Sequence, residues 1–146
     1  MSRFRYFLRV RYSECDGQKV VFNSRYGDYT DLAAAEFFRA LGYEKEMQTG
    51  ELDFQLVKQT TEWRAPARYD QVLEISVSTR HLGNTSFTLA TEFRLAGDEK
   101  VTVTVETVYV HVDHHTLQKM PLPPALRAAM ERGASNVTID HAAYLS

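Results

Sequence analysis

Residues 24–41 read SRYGDYTDLAAAEFFRAL, and the period of this stretch decides the fold. Tyr26, Tyr29, Ala33, Phe37 and Leu41 recur at steps of three and four, which puts them on one face of a helix and on no single face of a strand. Asn23 or Ser24 offers an N-cap side chain. Asp28 and Asp31 lie toward the positive end of the helix dipole, and Gly42 stands where a left-handed residue closes a helix. In mid-helix, Ala33-Ala34-Ala35 is a run of small side chains that lets another backbone approach closely. The spacing predicts a long helix from Ser24 to Leu41 whose apolar stripe must be covered by something large.

The rest of the chain supplies the cover. Phe4, Tyr6, Leu8, Val10 and Tyr12 alternate with Arg3, Arg5, Arg9 and Arg11, and a period of two predicts a half-buried strand from Phe4 to Tyr12. Strand character returns from Leu56 to Arg64. From Val72 to His81, Leu73, Ile75 and Val77 alternate with Glu74, Ser76 and Ser78. Gly83-Asn84 marks a turn. Phe87, Leu89, Thr91, Phe93 and Leu95 then alternate with Thr88, Ala90, Glu92 and Arg94, and Gly97-Asp98 marks the next turn. Val101 to Val112 is rich in β-branched residues and predicts a central strand covered on both faces. Pro123 and Pro124 open a short helix through Met130. One early helix followed by consecutive strands on short turns predicts an α+β domain spanning residues 1–146, with an antiparallel sheet packed on the long helix.

Bulk properties remove several classes of function. At 146 residues the chain is long enough to bury a core without disulfides or metals. A formal net charge of −2 gives no general attraction to nucleic acid or to an anionic membrane. The lone Cys15 cannot form an internal disulfide and suits a reducing compartment. The N-terminal residues alternate charged and apolar side chains and form no apolar signal segment, and no stretch is long and apolar enough to span a bilayer. The expectation is a cytoplasmic protein without membrane insertion.

The familiar catalytic motifs are missing. There is no G-x-S-x-G elbow, no phosphate-binding glycine loop and no G-x-G-x-x-G. His111-Val112-Asp113-His114-His115 has ligand-type residues, but their spacing matches no standard zinc pattern, and a strand end running into a polar turn accounts for them as well. No metal and no cofactor is expected. Arg64-Ala65-Pro66-Ala67-Arg68-Tyr69-Asp70 links two strands, with two arginines on what is either a phosphate-binding or a solvated surface.

What remains is the segment between the first strand and the helix. Asp16 lies there, close in sequence to a helix start whose free N–H groups can donate to a developing oxyanion. A carboxylate beside such donors is sufficient to hydrolyse an activated acyl group. Asp16-Gly17 is also a common turn dipeptide, in which the aspartate bonds its own backbone, and the residues alone leave both readings open. Phe22, Tyr26, Tyr29 and Phe54 are likewise either walls of an acyl pocket or core.

At these residues the sequence resembles the 4-hydroxybenzoyl-CoA thioesterase family of hotdog-fold proteins. Arg11-Tyr12, Glu14-Cys15-Asp16, Val20-Val21-Phe22 and Tyr26-Gly27-Asp28-Tyr29 follow the family's opening pattern, with Asp31 in its acidic helix position. Arg64 to Asp70 resembles the family's proline-containing link. Ser86-Phe87-Thr88 and Val110-His111-Val112-Asp113 resemble its later strands, and Pro121-Leu122-Pro123 its entry to the last helix. The resemblance implies an antiparallel sheet wrapped around one long helix, assembled as a homodimer or homotetramer with active sites at the dimer interface. It implies hydrolysis of acyl-CoA, with Asp16 as nucleophile or general base, the Asn23 backbone N–H polarising the thioester carbonyl, Asp31 in support, and Phe22, Tyr26 and Tyr29 against the substrate.

Two departures accompany it. Lys19 stands where the family usually has glycine, so Gly17 is expected to supply the turn's backbone freedom. Some members carry a basic cluster before the Ser-Phe motif for CoA phosphates; here Leu82-Gly83-Asn84-Thr85 is preceded only by Arg80 and His81. The alternatives are a non-catalytic acyl-thioester binding protein and a thioesterase for acyl-carrier-protein substrates. A hydratase would want a histidine at the helix start, and none occurs before His81.

Overall fold

The computed structural model describes residues 3–145. In chain order it contains strand β1 (Arg5–Arg9), helix α1 (Arg25–Ala40), helix α2 (Glu44–Thr49), and strands β2 (Asp53–Trp63), β3 (Val72–Leu82), β4 (Ser86–Leu95) and β5 (Val101–Val112). Helix α3 (Pro124–Arg132) and strand β6 (Thr138–Asp140) complete it. The six strands form one sheet in the order β2-β5-β4-β3-β1-β6. All neighbouring pairs are antiparallel except β1 with β6, which is parallel.

The expected architecture is present: α1 lies across the sheet and buries its stripe there. Phe37 meets Phe4 edge-on at 5.6 Å between ring centroids, Phe38 meets Phe54 at 5.1 Å and Phe87 at 5.8 Å, and Tyr26 meets Phe93 at 5.2 Å. Tyr26, Tyr29, Phe37 and Phe38 are all buried, and each contributes roughly 1.5–3 kcal/mol of transfer free energy. Of the alanine run, Ala33 and Ala34 are buried and Ala35 faces solvent. Gly42 closes the helix as expected, at φ 92°, with its N–H donating to the Arg39 carbonyl at 3.0 Å. Ser24 holds the N-cap position but makes no side-chain capping bond.

Four expectations need correction. The first strand ends at Arg9, not Tyr12: Tyr12 begins a single 3-10 turn, Tyr12–Glu14, and its side chain is 64% exposed. Phe7, which the alternation puts on the arginine face, is buried because Tyr144 stacks on it at 5.0 Å, so the C-terminal tail covers the second face of β1. Helix α2 and strand β6 have no counterpart in the sequence reading, being too short for a periodic signal. Strand β2 starts at Asp53, before the expected Leu56, and slips by one residue between Leu56 and Lys58, so that Val57 bulges outward.

Candidate active site

The segment between β1 and α1 folds as a small hairpin. Cys15 pairs with Val21 in an isolated antiparallel bridge. The Phe22 N–H donates to the Glu14 carbonyl at 3.1 Å, and the Asp16 N–H to the Val20 carbonyl at 2.9 Å. The Lys19 N–H returns to the Asp16 carbonyl at 3.0 Å, closing a four-residue turn over Asp16 to Lys19. Lys19 adopts φ 65°. This is the three-residue hairpin loop in which the last loop position is left-handed and is usually glycine. The left-handed residue is therefore Lys19, and Gly17, expected to take that role, does not have positive φ.

Asp16 begins the turn, and its Oδ1 accepts the Gln18 N–H at 2.8 Å and, more distantly, the Val20 N–H at 3.4 Å. The turn-forming role read from the sequence is thus real. Those bonds also fix the carboxylate's orientation, and among the described residues Oδ2 has no hydrogen-bond partner.

The hairpin is fastened to α1 from below. The Glu14 carboxylate is buried. It accepts the Tyr29 hydroxyl at 2.8 Å and the Arg11 backbone N–H at 2.9 Å, and the Arg11 guanidinium grips it through Nε at 2.9 Å and through Nη2. Burial by itself raises the Glu14 pKa, but the hydrogen bonds from Arg11 and Tyr29 outweigh it and hold the group below the usual glutamate value. The Tyr29 phenol is pushed far up, first by burial and then by its bond to the carboxylate. The sequence carried one local signal for this clamp, Arg11 and Glu14 at a spacing of three. The distant partner Tyr29 had none.

A second segment flanks the hairpin. Val20 bridges to Arg68, the Val21 N–H donates to the Ala67 carbonyl at 2.9 Å, and the Tyr69 N–H to the Lys19 carbonyl at 2.9 Å. Between this segment and the start of α1 opens a cleft of about 270 Å³, with Val20, Val21, Asn23 and Tyr26 on one side and residues 63–66 on the other. At its helix side only the two amides just before α1 are free. Arg25, Tyr26 and Gly27 donate back to Phe22, Asn23 and Ser24, while the exposed Asn23 and Ser24 N–H groups meet no acceptor among the described residues. The Tyr26 hydroxyl is buried, lies near the Ala67 amide and has no hydrogen-bond partner among the described residues.

Of the residues singled out in the sequence, Asn23 and Tyr26 line this cleft. Asp16 does not. It stands one hydrogen-bonded step behind Val20, which does. Phe22 is exposed at the mouth of the helix. Tyr29, expected beside the substrate, is fully buried and directed to Glu14. Asp31 is exposed one turn further along α1, where the surrounding protein, and then Asp28, raise its pKa. Its charge is felt by Tyr109, whose pKa is pushed up to about 12 chiefly by burial. Phe54 packs on Phe38 and Phe87 as core. Burial, then the charges of Glu14 and Asp16, push the Cys15 thiol up, which disfavours the thiolate a nucleophile would need. His111 is buried with Nδ1 3.1 Å from the Pro121 carbonyl oxygen, and His114 contacts Asp53 at 3.1 Å. Among the described residues no three His, Cys, Asp or Glu side chains converge.

Comparison with known proteins places this geometry in context. Residues 10–130 match the family model described as the thioesterase-like superfamily. A putative esterase of Aquifex aeolicus (strain VF5) is 32% identical over 88 residues, which is 60% of this chain and 69% of that protein. The acyl-CoA thioester hydrolase YbgC of Escherichia coli O6:H1 is 27% identical over 130 residues, covering 88% of this chain and 96% of the relative. Among solved structures, a gentisyl-coenzyme A thioesterase superposes with a TM-score of 0.77 at 26% identity, over 87% of this chain and 98% of its own.

Proposed function

Because the chain belongs to the thioesterase-like superfamily, we propose that it hydrolyses acyl-CoA thioesters to a free carboxylic acid and CoA, using Asp16 and the amides that open α1. The observation that carries the proposal is the N–H of Asn23, unpartnered among the described residues, on a residue that lines a cleft whose wall is continuous with the Asp16 hairpin; the unpartnered Ser24 N–H follows it in the chain. A helix N-terminus offers partial positive charge where the thioester carbonyl gains negative charge during attack. In the general-base version, Asp16 Oδ2 takes a proton from water as the water oxygen bonds to the acyl carbon. The oxyanion is held by the amides, the C–S bond then breaks, and the proton passes to the departing thiolate. In the nucleophile version the same oxygen bonds the acyl carbon directly and water opens the resulting anhydride. Either route needs a fixed carboxylate with one free oxygen within reach of the acyl carbon; the turn bonds to Oδ1 leave Oδ2 free, and the substrate has to extend from the cleft past Val20 to meet it.

The names of YbgC and of the gentisyl-coenzyme A thioesterase support CoA as the carrier. The free Cys15 suits the cytoplasm. Assembly as a homodimer or homotetramer is supported by β2, which lies at the end of the sheet, pairs among the described residues only with β5, and exposes Leu56, Val57 and Trp63. An open edge strand carrying exposed apolar side chains invites a second copy. Asp31 is proposed as a supporting charge on α1.

The deciding experiment is Asp16→Asn assayed by thiol release on a panel of acyl-CoAs, with circular dichroism to verify folding. We expect a folded protein without turnover. Full activity in that variant would refute the assignment of Asp16.

A further inference from the structure

Lys19 occupies a backbone conformation that glycine adopts freely and a side chain does not, at φ 65°, at a cost of roughly 1–2 kcal/mol. A residue held against its conformational preference invites the question of what its side chain does. The Lys19 ammonium lies 4.5 Å from the centroid of the Tyr12 ring and 3.4 Å from the Tyr12 hydroxyl oxygen. Tyr12 is 64% exposed and stands edge-on to Tyr69, itself 47% exposed, with ring centroids 5.6 Å apart. Arg68, next to Tyr69 and bridged by its backbone to Val20, is exposed as well. Neither Lys19 nor Arg68 forms an ion pair among the described residues, whereas the neighbouring Asp70 is already taken by Arg9 at 3.6 Å and Glu14 by Arg11. Among the described residues the Lys19 ammonium contacts only Tyr12, and the Arg68 guanidinium makes no hydrogen bond or ion pair, so both cations lack an anionic partner beside two exposed aromatic rings.

Planar rings with adjacent free cations match a ligand that is itself a flat base joined to phosphates. We propose that Tyr12, Lys19, Arg68 and Tyr69 bind the adenine nucleotide end of the CoA thioester. This inference rests on the acyl-CoA reading above. The surface is continuous with the cleft. Val20 lines the cleft and pairs with Arg68, and the segment that forms the cleft wall at residues 63–66 runs on directly to Arg68 and Tyr69. The pantetheine arm therefore passes along Val20, with the thioester at α1 and the phosphates at Lys19 and Arg68. An acidic carrier protein would also answer the positive charge, but it gives no role to two exposed tyrosine rings, so the nucleotide is the better match.

The test compares one acyl group on CoA and on pantetheine, which lacks the nucleotide, in the wild type, Arg68→Glu and Tyr69→Ala. Binding of adenosine 3′,5′-bisphosphate is measured by calorimetry alongside. We expect the ratio of the KM for acyl-CoA to that for acyl-pantetheine to rise about tenfold in Arg68→Glu, the equivalent of about 1.4 kcal/mol, and the bisphosphate to bind the wild type and weaken in both variants. An unchanged ratio without bisphosphate binding overturns the site while leaving hydrolysis of pantetheine thioesters intact. If the wild type hydrolyses neither thioester, the acyl-CoA reading fails, and bisphosphate binding alone then decides the site, its absence overturning it. Turnover confined to acyl groups on a carrier protein, slowed by Arg68→Glu and indifferent to the bisphosphate, overturns it in favour of a protein partner.

Discussion

The Tyr29 hydroxyl on α1 donates to Glu14 Oε1 at 2.8 Å in a site closed to solvent. This bond joins the two parts on which the proposed chemistry depends, the hairpin that carries Asp16 and the helix that presents Asn23. With the Arg11 bonds to the same carboxylate, it sets where the hairpin stands relative to the helix start.

Removing the hydroxyl in Tyr29→Phe leaves a buried carboxylate short of one donor. Hydrogen bonds to charged groups contribute about 1.5–3 kcal/mol, so we expect the unfolding temperature to fall by several degrees. The hairpin loses one anchor, so kcat is expected to drop more than KM changes. Calorimetry and steady-state kinetics on the same preparation check both parts.

Glu14 also gives stability a pH signature. Its pKa is lower folded than in an ordinary, unfolded glutamate, because the Arg11 and Tyr29 bonds outweigh burial. The folded state therefore favours the ionised form. The stability this contributes is present in full above the unfolded value, about 4.3, and is lost as pH falls through the lower folded value. The stability gap between wild type and Glu14→Gln is expected to be widest near neutrality and to shrink on acidification below about pH 4.3. Urea titrations from pH 7 to pH 3 measure it, and a gap that widens in acid contradicts the assigned environment.

Lys19→Gly separates stability from ligand binding. Glycine relieves the left-handed strain and gives back part of the gain through its freer unfolded chain. The net expectation is about 0.5–1 kcal/mol of added stability. The KM for acyl-CoA should rise in the same variant, since the ammonium beside Tyr12 is gone. Denaturant unfolding and KM moving in opposite functional directions is the result to look for.

Gly50 tests the end of α2. It caps that helix at φ 86°, and a Cβ there would lie 2.7 Å from the His114 ring. Gly50→Ala is expected to cost about 1–2 kcal/mol, from the backbone and from displacing the imidazole. In a His114→Ala background only the backbone part, about 1 kcal/mol, should remain. A double-mutant cycle measured by denaturant unfolding resolves the two.

The long elements were legible because their periods are long. The stripe from Tyr26 to Leu41 and the alternation in β3 and β4 repeat often enough to announce themselves. Helix α2 and strand β6 do not repeat at all, and their places are set by tertiary contacts such as the pairing of β6 with β1. At the site, a turn at Asp16 and a helix start at Asn23 could be read locally. The role of Tyr29 could not, since its aromatic character suits a core, a pocket or a hydrogen bond equally, and only the fold brings Glu14 to its hydroxyl. The left-handed place of Lys19 is not legible for a related reason: a chain with Gly17 two residues earlier offers an easier place for the left-handed residue, and the register of the hairpin bonds, not composition, decides which residue takes it.

Strand β1 sits between β3 and β6, with Arg5 opposite Thr138. The first of the described strands thus completes its pairing only with the last of them. Closing that seam joins residues 133 positions apart, the kind of long-range contact that slows folding. Helix α1 forms from local contacts, so docking of β6 on β1, not formation of the helix, is the step that lets this sheet finish.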